Sequence, residues 1–326
     1  MSINIDKATL KTGLGWSKSN LSMSTEVAFT DLGIQFAASD LGITLFEDNL
    51  IIKGHDGKYY MFLDDWTGFA NDDIYCVRSD YPTFASETII GKIYTDADIR
   101  VWGGFYDAEL AKYYLYVYDK TTDITYALWI AQADFPSGAW TKVTGITALG
   151  GGGSWRQNKC VFRGFTKKMS GLYVALVWGF DSGNIPRLSF AYSHDPLAAP
   201  WQILDTPVFG TPTELGFGSW DGMGIGNVFP LSKGWLVFYE GTETVGGKWR
   251  VGTMHSFEDF RFTWKTRGSP QLTSATIGYA NPHGYYFDAE ANKLYLPVTS
   301  TRVGEGQNDF KDMHIYTINI DDIWET

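Results

Sequence analysis

A strand-like run recurs five times along the chain at a nearly constant interval. Each run is rich in Tyr, Val and Leu and follows a turn-forming residue. Alignment of the runs makes five positions equivalent, 54 to 62 residues apart: Tyr60, Tyr114, Val174, Leu236 and Tyr295. β-branched and aromatic residues in short runs after turns are typical of strands in hairpins. The interval is too long for leucine-rich or ankyrin-type repeats and fits a small sheet per repeat.

A second pattern has the same period. After each strand-like run come a small polar residue, an acid and then an aromatic residue, in the stretches at 77–84, 131–140, 191–201, 254–264 and 316–324. Asp and Ser bond to their own backbone in turns, and the aromatic residue packs between neighbouring sheets. We therefore interpret these acids, such as Asp195, as structural. With helical periodicity nearly absent, the two patterns predict an all-β fold, a five-bladed β-propeller of four-stranded antiparallel blades.

The period also predicts the domain organisation. We expect one domain over residues 1–326, with blades at approximately 46–91, 92–150, 151–210, 211–272 and 273–326. Within the N-terminal segment 1–45, we expect residues 21–45 to pair with the last blade and help close the ring, because an open sheet edge invites aggregation.

Charge and hydropathy limit the partners. A net charge of -11 argues against nucleic acid, whose backbone needs a basic surface, and is compatible with a neutral polar ligand. No segment approaches the ~20 apolar residues of a membrane span, and the N-terminus has no signal-peptide pattern. We therefore expect no membrane insertion, and a location in the cytoplasm or in a larger assembly. Cys76 and Cys160 lie in apolar runs and are expected to be buried free thiols. The oligomeric state is left open.

The innermost strand of each blade lines the channel of a propeller, and its start faces the ligand. The five predicted inner strands, at 46–53, 95–104, 154–164, 219–230 and 279–288, are unusually rich in charged, amide and aromatic residues. Burial of Asp98 and Arg100 near the axis is costly without pairing or a ligand. The alternative is that acids and bases of neighbouring blades neutralise one another around a water-filled channel.

Four longer motifs occur along the chain in the order in which a known family of proteins has them. They are "DADIRVWGGFYDAELAKYYLYVY", "NKCVFRGFTKKMSGLYVALVW", "GSWDGMGIGNVFPLSKGWLVFYEG" and "RVGTMHSFEDFRFTWKTRGSPQL". Over residues 46–272 the chain resembles the five-bladed propellers of carbohydrate-active enzymes, most nearly glycoside hydrolase family 130 and more distantly families 32, 43 and 68. The resemblance implies an oligo- or polysaccharide in the central funnel.

The chain also departs from family 130. Ala97 and Ile99 stand where that family has glutamate and proline, so that only Asp98 and Arg100 remain of the blade-two signature. Glu240 replaces a histidine, and the Arg, Lys and His set that binds phosphate is not clearly complete. These departures disfavour phosphorolysis relative to hydrolysis or binding alone.

Glycoside cleavage needs two carboxyl groups, roughly 6.5–9.5 Å apart in inverting enzymes. We predict three catalytic candidates from different blades, namely Asp98, Asp48 and Asp221. Period-2 alternation places Asp98 and Arg100 on one face of their strand. Asp98 is the predicted general acid. Arg100 orients it or binds a hydroxyl or anionic group, and Asp48 is its partner or an acceptor for a sugar hydroxyl.

Further residues at or near the inner strands are predicted to bind substrate. They are Arg100, Trp102, Trp155, Arg156, Lys159, Trp220 and His283. Trp155 and Trp220 follow glycine-rich stretches and are the preferred residues for stacking on sugar, although tryptophan also packs blades together. The five histidines lack metal-ligand spacing, so we predict no metal site and no cofactor.

Three functions stay open. The chain is a glycosidase (less favourably a phosphorylase), a propeller that binds glycans without chemistry, or a structural part of a virion or surface assembly. The eroded blade-two signature favours the non-catalytic functions, whereas Asp98, Arg100 and the polar inner strands favour an enzyme.

Overall fold

The computed structural model describes residues 29–67, 73–96, 98–143, 145–146, 154–169, 171–183, 186–204, 207, 223–231, 234–241, 250–256, 265–266, 277–281, 283–306 and 309–323. Among these residues, strands dominate and the helices are single 3₁₀ turns. No helix in this part of the chain has the length and apolar character needed to cross a membrane. The predicted all-β class is confirmed.

The strands, in chain order, are β1 (Thr30–Ala37), β2 (Phe46–Lys53), β3 (Tyr59–Asp65), β4 (Asp73–Ser79), β5 (Glu87–Thr95), β6 (Ile99–Asp107), β7 (Lys112–Asp119), β8 (Ile124–Ala131), β9 (Thr141–Lys142), β10 (Lys159–Met169), β11 (Leu172–Phe180), β12 (Pro186–Ser193), β13 (Gln202–Ile203), β14 (Met223–Leu231), β15 (Gly234–Gly241), β16 (Arg250–Ser256), β17 (Lys265–Thr266), β18 (Ile277–Asn281), β19 (Tyr286–Asp288), β20 (Lys293–Arg302) and β21 (Asp312–Asn319). The 3₁₀ turns are Ala38–Leu41, Gln132–Asp134, Ser154–Arg156 and Ile320–Ile323.

The described strands divide into consecutive antiparallel sets. Set A is β2 to β5, set D is β14 to β17, and set E joins β18 to β21 with β1, which pairs with β21. Set B (β6 to β9) and set C (β10 to β13) form one eight-stranded sheet, and the two sets are linked through a single parallel pair, Ile124 with Cys160.

Apolar side chains pack these sets against one another rather than within one central core. One cluster joins Phe62 of set A to Leu115 of set B, and a second joins Tyr116 of set B to Phe162 of set C. A third joins sets D and E, and a fourth joins set E to set A through Met313 and Met61. Both faces of the strands are therefore covered, which explains why their sequences read as nearly continuous apolar runs.

The first strands of the sets lie next to one another, since β6 lies between β2 and β10, and β14 lies next to β10. Each first strand also carries a register shift against its partner strand. β-bulges of this kind re-aim side chains and are frequent beside functional sites. They place several polar side chains at one end of the first strands.

The turn after β12 has the side-chain hydrogen bonds predicted for it. In the stretch 191–201, the Ser193 Oγ accepts the Asp195 N–H at 3.1 Å, and the Asp195 carboxylate accepts the Leu197 N–H at 2.8 Å. Trp201, ten residues after the strand residue Ala191, is 3% exposed and packs between sets B and C. Asp195 therefore holds the chain in its turn.

Candidate functional site

Asp48, near the start of β2, lies in a cluster of buried polar side chains. Its side chain is 0% exposed. Its Oδ2 accepts the Trp102 Nε1–H at 2.6 Å and lies 3.4 Å from the Arg100 Nη1, and its Oδ1 contacts the His283 Nδ1. Arg100, Trp102 and His283, all predicted from the sequence as site residues, are thus in direct contact with Asp48.

Arg100 contacts two adjacent carboxylates at once. Its Nη1 donates to the Glu47 Oε2 at 2.5 Å as well as lying near Asp48. Strict alternation along β2 would place Glu47 and Asp48 on opposite faces. The register shift between Phe46 and Asn49 inserts one extra residue there, and the bulge allows one guanidinium to reach both acids.

The Arg100 guanidinium is also stacked on an indole. Its Cζ lies 3.6 Å from the centroid of the Trp66 ring, which directly follows β3. The Lys120 ammonium lies 5.1 Å from the same centroid. Cation–π contacts and two carboxylates therefore fix the orientation of Arg100, which is only 8% exposed.

His283 reaches Asp48 because the chain between β18 and β19 leaves its partner strand and packs against β2. The Gly284 N–H donates to the Asn49 Oδ1 at 2.9 Å. A Cβ at Gly284 would lie 2.7 Å from that oxygen and 3.1 Å from the Leu50 Cα, so the approach requires glycine. The site thus combines residues from sets A, B and E.

The burial of Asp48 decides what it can do chemically. With no exposed surface, with donors on the Oδ2 and with His283 against the Oδ1, its carboxylate does not reach a sugar in this conformation. It anchors Arg100, Trp102 and His283 instead. Glu47, whose side chain is 17% exposed, is the more accessible carboxylate of this pair.

Asp98 differs from its predicted position. It precedes β6 with a positive φ of 59°, outside the strand, so the alternation that was expected to align it with Arg100 does not apply. Its side chain is 37% exposed, pairs with Lys120 at 3.6 Å and accepts from the Thr121 Oγ1 at 3.3 Å. Among the described contacts, Asp98 is bound to the β7–β8 hairpin and not to Arg100.

Lys159 lies at the start of β10 and its ammonium is surrounded by aromatic rings. The ring centroids lie 4.4 Å (Tyr118), 4.9 Å (Trp178), 5.5 Å (Phe180) and 5.8 Å (Trp102) from the Nζ. Because Trp102 also binds Asp48, this cluster is continuous with the Asp48 site.

Two predicted substrate-binding residues are buried in packing contacts. Trp155 is 5% exposed within the core between sets B and C, and its ring leaves no room for a Cβ at Gly179. Arg156 is 6% exposed and hydrogen-bonds to Cys160. Burial raises the pKa of Cys160 to about 11, and Arg156 partly offsets this rise. The structure therefore favours packing over sugar stacking for Trp155. Trp220 and Asp221 lie outside the described residues.

Five further residues of this region were not selected from the sequence: Glu47, Trp66, Lys120, Asp123 and Trp178. The position of most of these residues along the strands could have indicated them. In an antiparallel pair, the end of the second strand lies beside the start of the first. Residues that end or follow β3, β7 and β11 are therefore expected beside the starts of β2, β6 and β10.

Among the described residues, no group of three or more His, Cys, Asp or Glu side chains is arranged to hold a metal ion.

Comparison with known proteins identifies structures of similar fold. No family model and no curated protein matches the chain. Among solved structures, the catalytic domain of a family 62 α-L-arabinofuranosidase from Coprinopsis cinerea has a TM-score of 0.62 at 13% identity, over 90% of this chain and 98% of that one. A family 117 glycoside hydrolase from the marine bacterium Zobellia galactanivorans has a TM-score of 0.62 at 13% identity, over 92% and 93%.

A third similar structure comes from family 130, mannoside phosphorylases that include hydrolases of β-1,2 mannosidic linkages in Candida mannan. Its TM-score is 0.59 at 14% identity, over 83% of this chain and 84% of that one. These likenesses confirm the predicted resemblance of fold to the β-propellers of carbohydrate-active enzymes. At such low identities they show the fold alone.

Proposed function

We propose that this chain is a glycoside hydrolase-like propeller that binds an oligo- or polysaccharide where the first strands begin, around Asp48, Arg100, Trp102 and His283. One observation carries the proposal. Residues from three sets converge on a fully buried carboxylate near the start of β2. Buried charges are costly, and replacement of a buried ion pair by apolar residues is often neutral or stabilising. A scaffold without a ligand has no need of this arrangement, and such groups cluster at functional sites.

The groups around Asp48 suit a sugar. Glu47 offers a partly exposed acceptor for hydroxyl groups, Lys120 offers a donor, and the half-buried Trp66 offers an aromatic face. Amphipathic rings and a few oriented polar groups are the usual means by which a site holds a polar ligand. Rigid Arg100 holds Glu47 and Trp66 in place before the ligand arrives.

The proposal includes five blades, which are the sets A to E. The packing of set E against set A through Met313 and Met61 supports closure of a ring, with β1 completing the last blade. The approximate blade limits 46–91, 92–150, 151–210, 211–272 and 273–326 remain part of this proposal.

A glycan array followed by calorimetry on the best ligands tests the binding function. Glu47→Gln keeps the shape of the side chain and removes its charge. Loss of a charge-assisted hydrogen bond of about 1.5–3 kcal/mol should weaken binding by roughly 10- to 100-fold. Asp80→Asn, which alters the exposed Lys58–Asp80 pair, is the matched control and should leave affinity unchanged. No binding to any glycan, or equal affinity for both variants, would contradict the proposal.

Hydrolysis is the second candidate function, favoured by the partly exposed carboxylates of Glu47 and Asp98. Asp98 would act as general acid and Glu47, rather than buried Asp48, would be the second carboxylate. Aryl glycosides and manno-oligosaccharides, with and without phosphate, test it. Asp98→Asn should lower turnover by roughly 10²–10⁴-fold with an unchanged melting temperature. Glycan binding without turnover in the wild-type protein would leave a non-catalytic binder.

A further inference from the structure

A carboxylate that belongs to no predicted site lies beside the Lys159 ring cluster. Asp123 closes the β7–β8 hairpin with a positive φ of 54°. Its Oδ1 accepts the Tyr118 O–H at 2.6 Å and lies 3.9 Å from the Lys159 Nζ. Both contacts use the same oxygen, and among the described residues no donor bonds to the Oδ2. The side chain is 37% exposed.

The rings around Lys159 differ in their accessibility. Trp102 and Tyr118 stack at 4.4 Å and are only 7% and 5% exposed, so they serve packing. Trp178 and Phe180, two residues apart at the end of β11, are half-buried, and their ring centroids lie 4.8 Å apart. Each therefore keeps part of its ring at the surface beside Asp123 and Lys159.

We propose that Asp123, Lys159, Trp178 and Phe180 form a second carbohydrate subsite, which binds one neutral sugar unit next to the Asp48 site. This inference rests on the proposed binding function. The aromatic surface takes the apolar face of a sugar ring, the Asp123 Oδ2 accepts a hydroxyl, and the Lys159 ammonium donates to a neighbouring oxygen.

Local charge specifies a neutral sugar rather than an acidic one. A uronate carboxylate placed here would lie against the Asp123 carboxylate, which is 37% exposed. The net charge of -11 adds repulsion at longer range. The subsite therefore binds hydroxyl groups and excludes anionic glycans.

The position of the subsite also specifies the length of the ligand. Trp102 joins it to the Asp48 site, since its ring lies 5.8 Å from Trp178 while its Nε1 binds Asp48. On this proposal, Trp66 of set A and Phe180 of set C lie at the two ends of the ligand-binding region. A ligand that covers it has two or more sugar units, so affinity rises with chain length.

Calorimetry with matched ligands tests the inference. The probes are cello-, manno-, xylo- and arabino-oligosaccharides of two and five units, with oligogalacturonates of equal length as anionic probes. For the neutral pentasaccharide that binds the wild-type protein, Trp178→Leu should weaken affinity about tenfold and Asp123→Asn about 10- to 100-fold. Trp129→Leu is the matched control. Trp129 is also half-buried, and the Lys112 Nζ lies 4.2 Å from the centroid of its ring. Melting temperatures check that each variant is folded, and Phe180→Leu replaces Trp178→Leu if that variant unfolds.

The possible outcomes separate the two proposals. If the wild-type protein binds a neutral oligosaccharide and Trp178→Leu, Phe180→Leu and Asp123→Asn bind it as tightly as Trp129→Leu, the subsite is wrong and the binding function stands. Binding of oligogalacturonate as tightly as the neutral ligands overturns the assignment to neutral sugars. If the wild-type protein binds no probe, both proposals fall.

Discussion

Arg100→Met tests whether the buried charges around Asp48 depend on one guanidinium. The substitution keeps much of the side-chain volume and removes the cation that contacts both Glu47 and Asp48. Two adjacent carboxylates then share a buried site without their common partner. Removal of one member of a buried ion pair typically costs about 3–5 kcal/mol, because the remaining charge has lost both water and partner.

The expected shift in melting temperature follows from the size of the chain. An unfolding entropy of about 2.1 cal/mol/K per residue gives about 0.7 kcal/mol/K for 326 residues. A loss of 3–5 kcal/mol then lowers the melting temperature by about 4–7 °C. Differential scanning calorimetry measures this shift, with Lys58→Met as the control. Lys58 pairs with Asp80 at the surface, so its replacement should leave the melting temperature unchanged.

The double variant Arg100→Met/Asp48→Asn identifies the cause of the loss. Asparagine keeps an oxygen for the Trp102 N–H and removes the buried charge, so the double variant should melt above Arg100→Met. A further decrease on addition of Asp48→Asn, or an unchanged melting temperature in Arg100→Met, would refute the reasoning that an unpaired buried carboxylate is the source of the penalty.

Three further outcomes are expected. Burial raises the pKa of Tyr113 to about 12 from an ordinary 10.0, so its contribution to stability is complete below pH 10 and is lost as the pH rises towards 12. Melting temperatures measured between pH 10 and pH 12 should therefore depend less on pH in Tyr113→Phe than in the wild-type protein. The buried Cys160 thiol, with a pKa of about 11, should not react with an aromatic disulfide at pH 8 until denaturant is added, and fast labelling of the native protein would disprove its burial. Gly284→Ala should weaken glycan binding, because its Cβ would lie 2.7 Å from the Asn49 Oδ1 and would displace the segment that contains His283. Gly306→Ala is the control and should bind normally, because its Cβ would lie 3.1 Å from the end of the flexible Asp309 side chain.

The sequence predicted the order of the strands, and some of their positions, because that information is local. The first strand predicted at 46–53 coincides with β2, and the turn at 191–201 has the predicted Ser and Asp contacts. Period-2 patterns, turn residues and a repeat of about 60 residues are readable without knowledge of which strands meet. They led to the all-β class and to the candidates Asp48, Arg100, Trp102 and His283.

Only the tertiary structure decided which side chains meet. A bulge in β2 gives Arg100 both Glu47 and Asp48, and the positive φ of Asp98 places that acid with Lys120 instead. The burial of Trp155 likewise follows from the packing of set B on set C. Register shifts, left-handed residues and contacts between distant strands depend on how whole sheets pack, because one extra residue in a strand changes the face on which every later side chain lies.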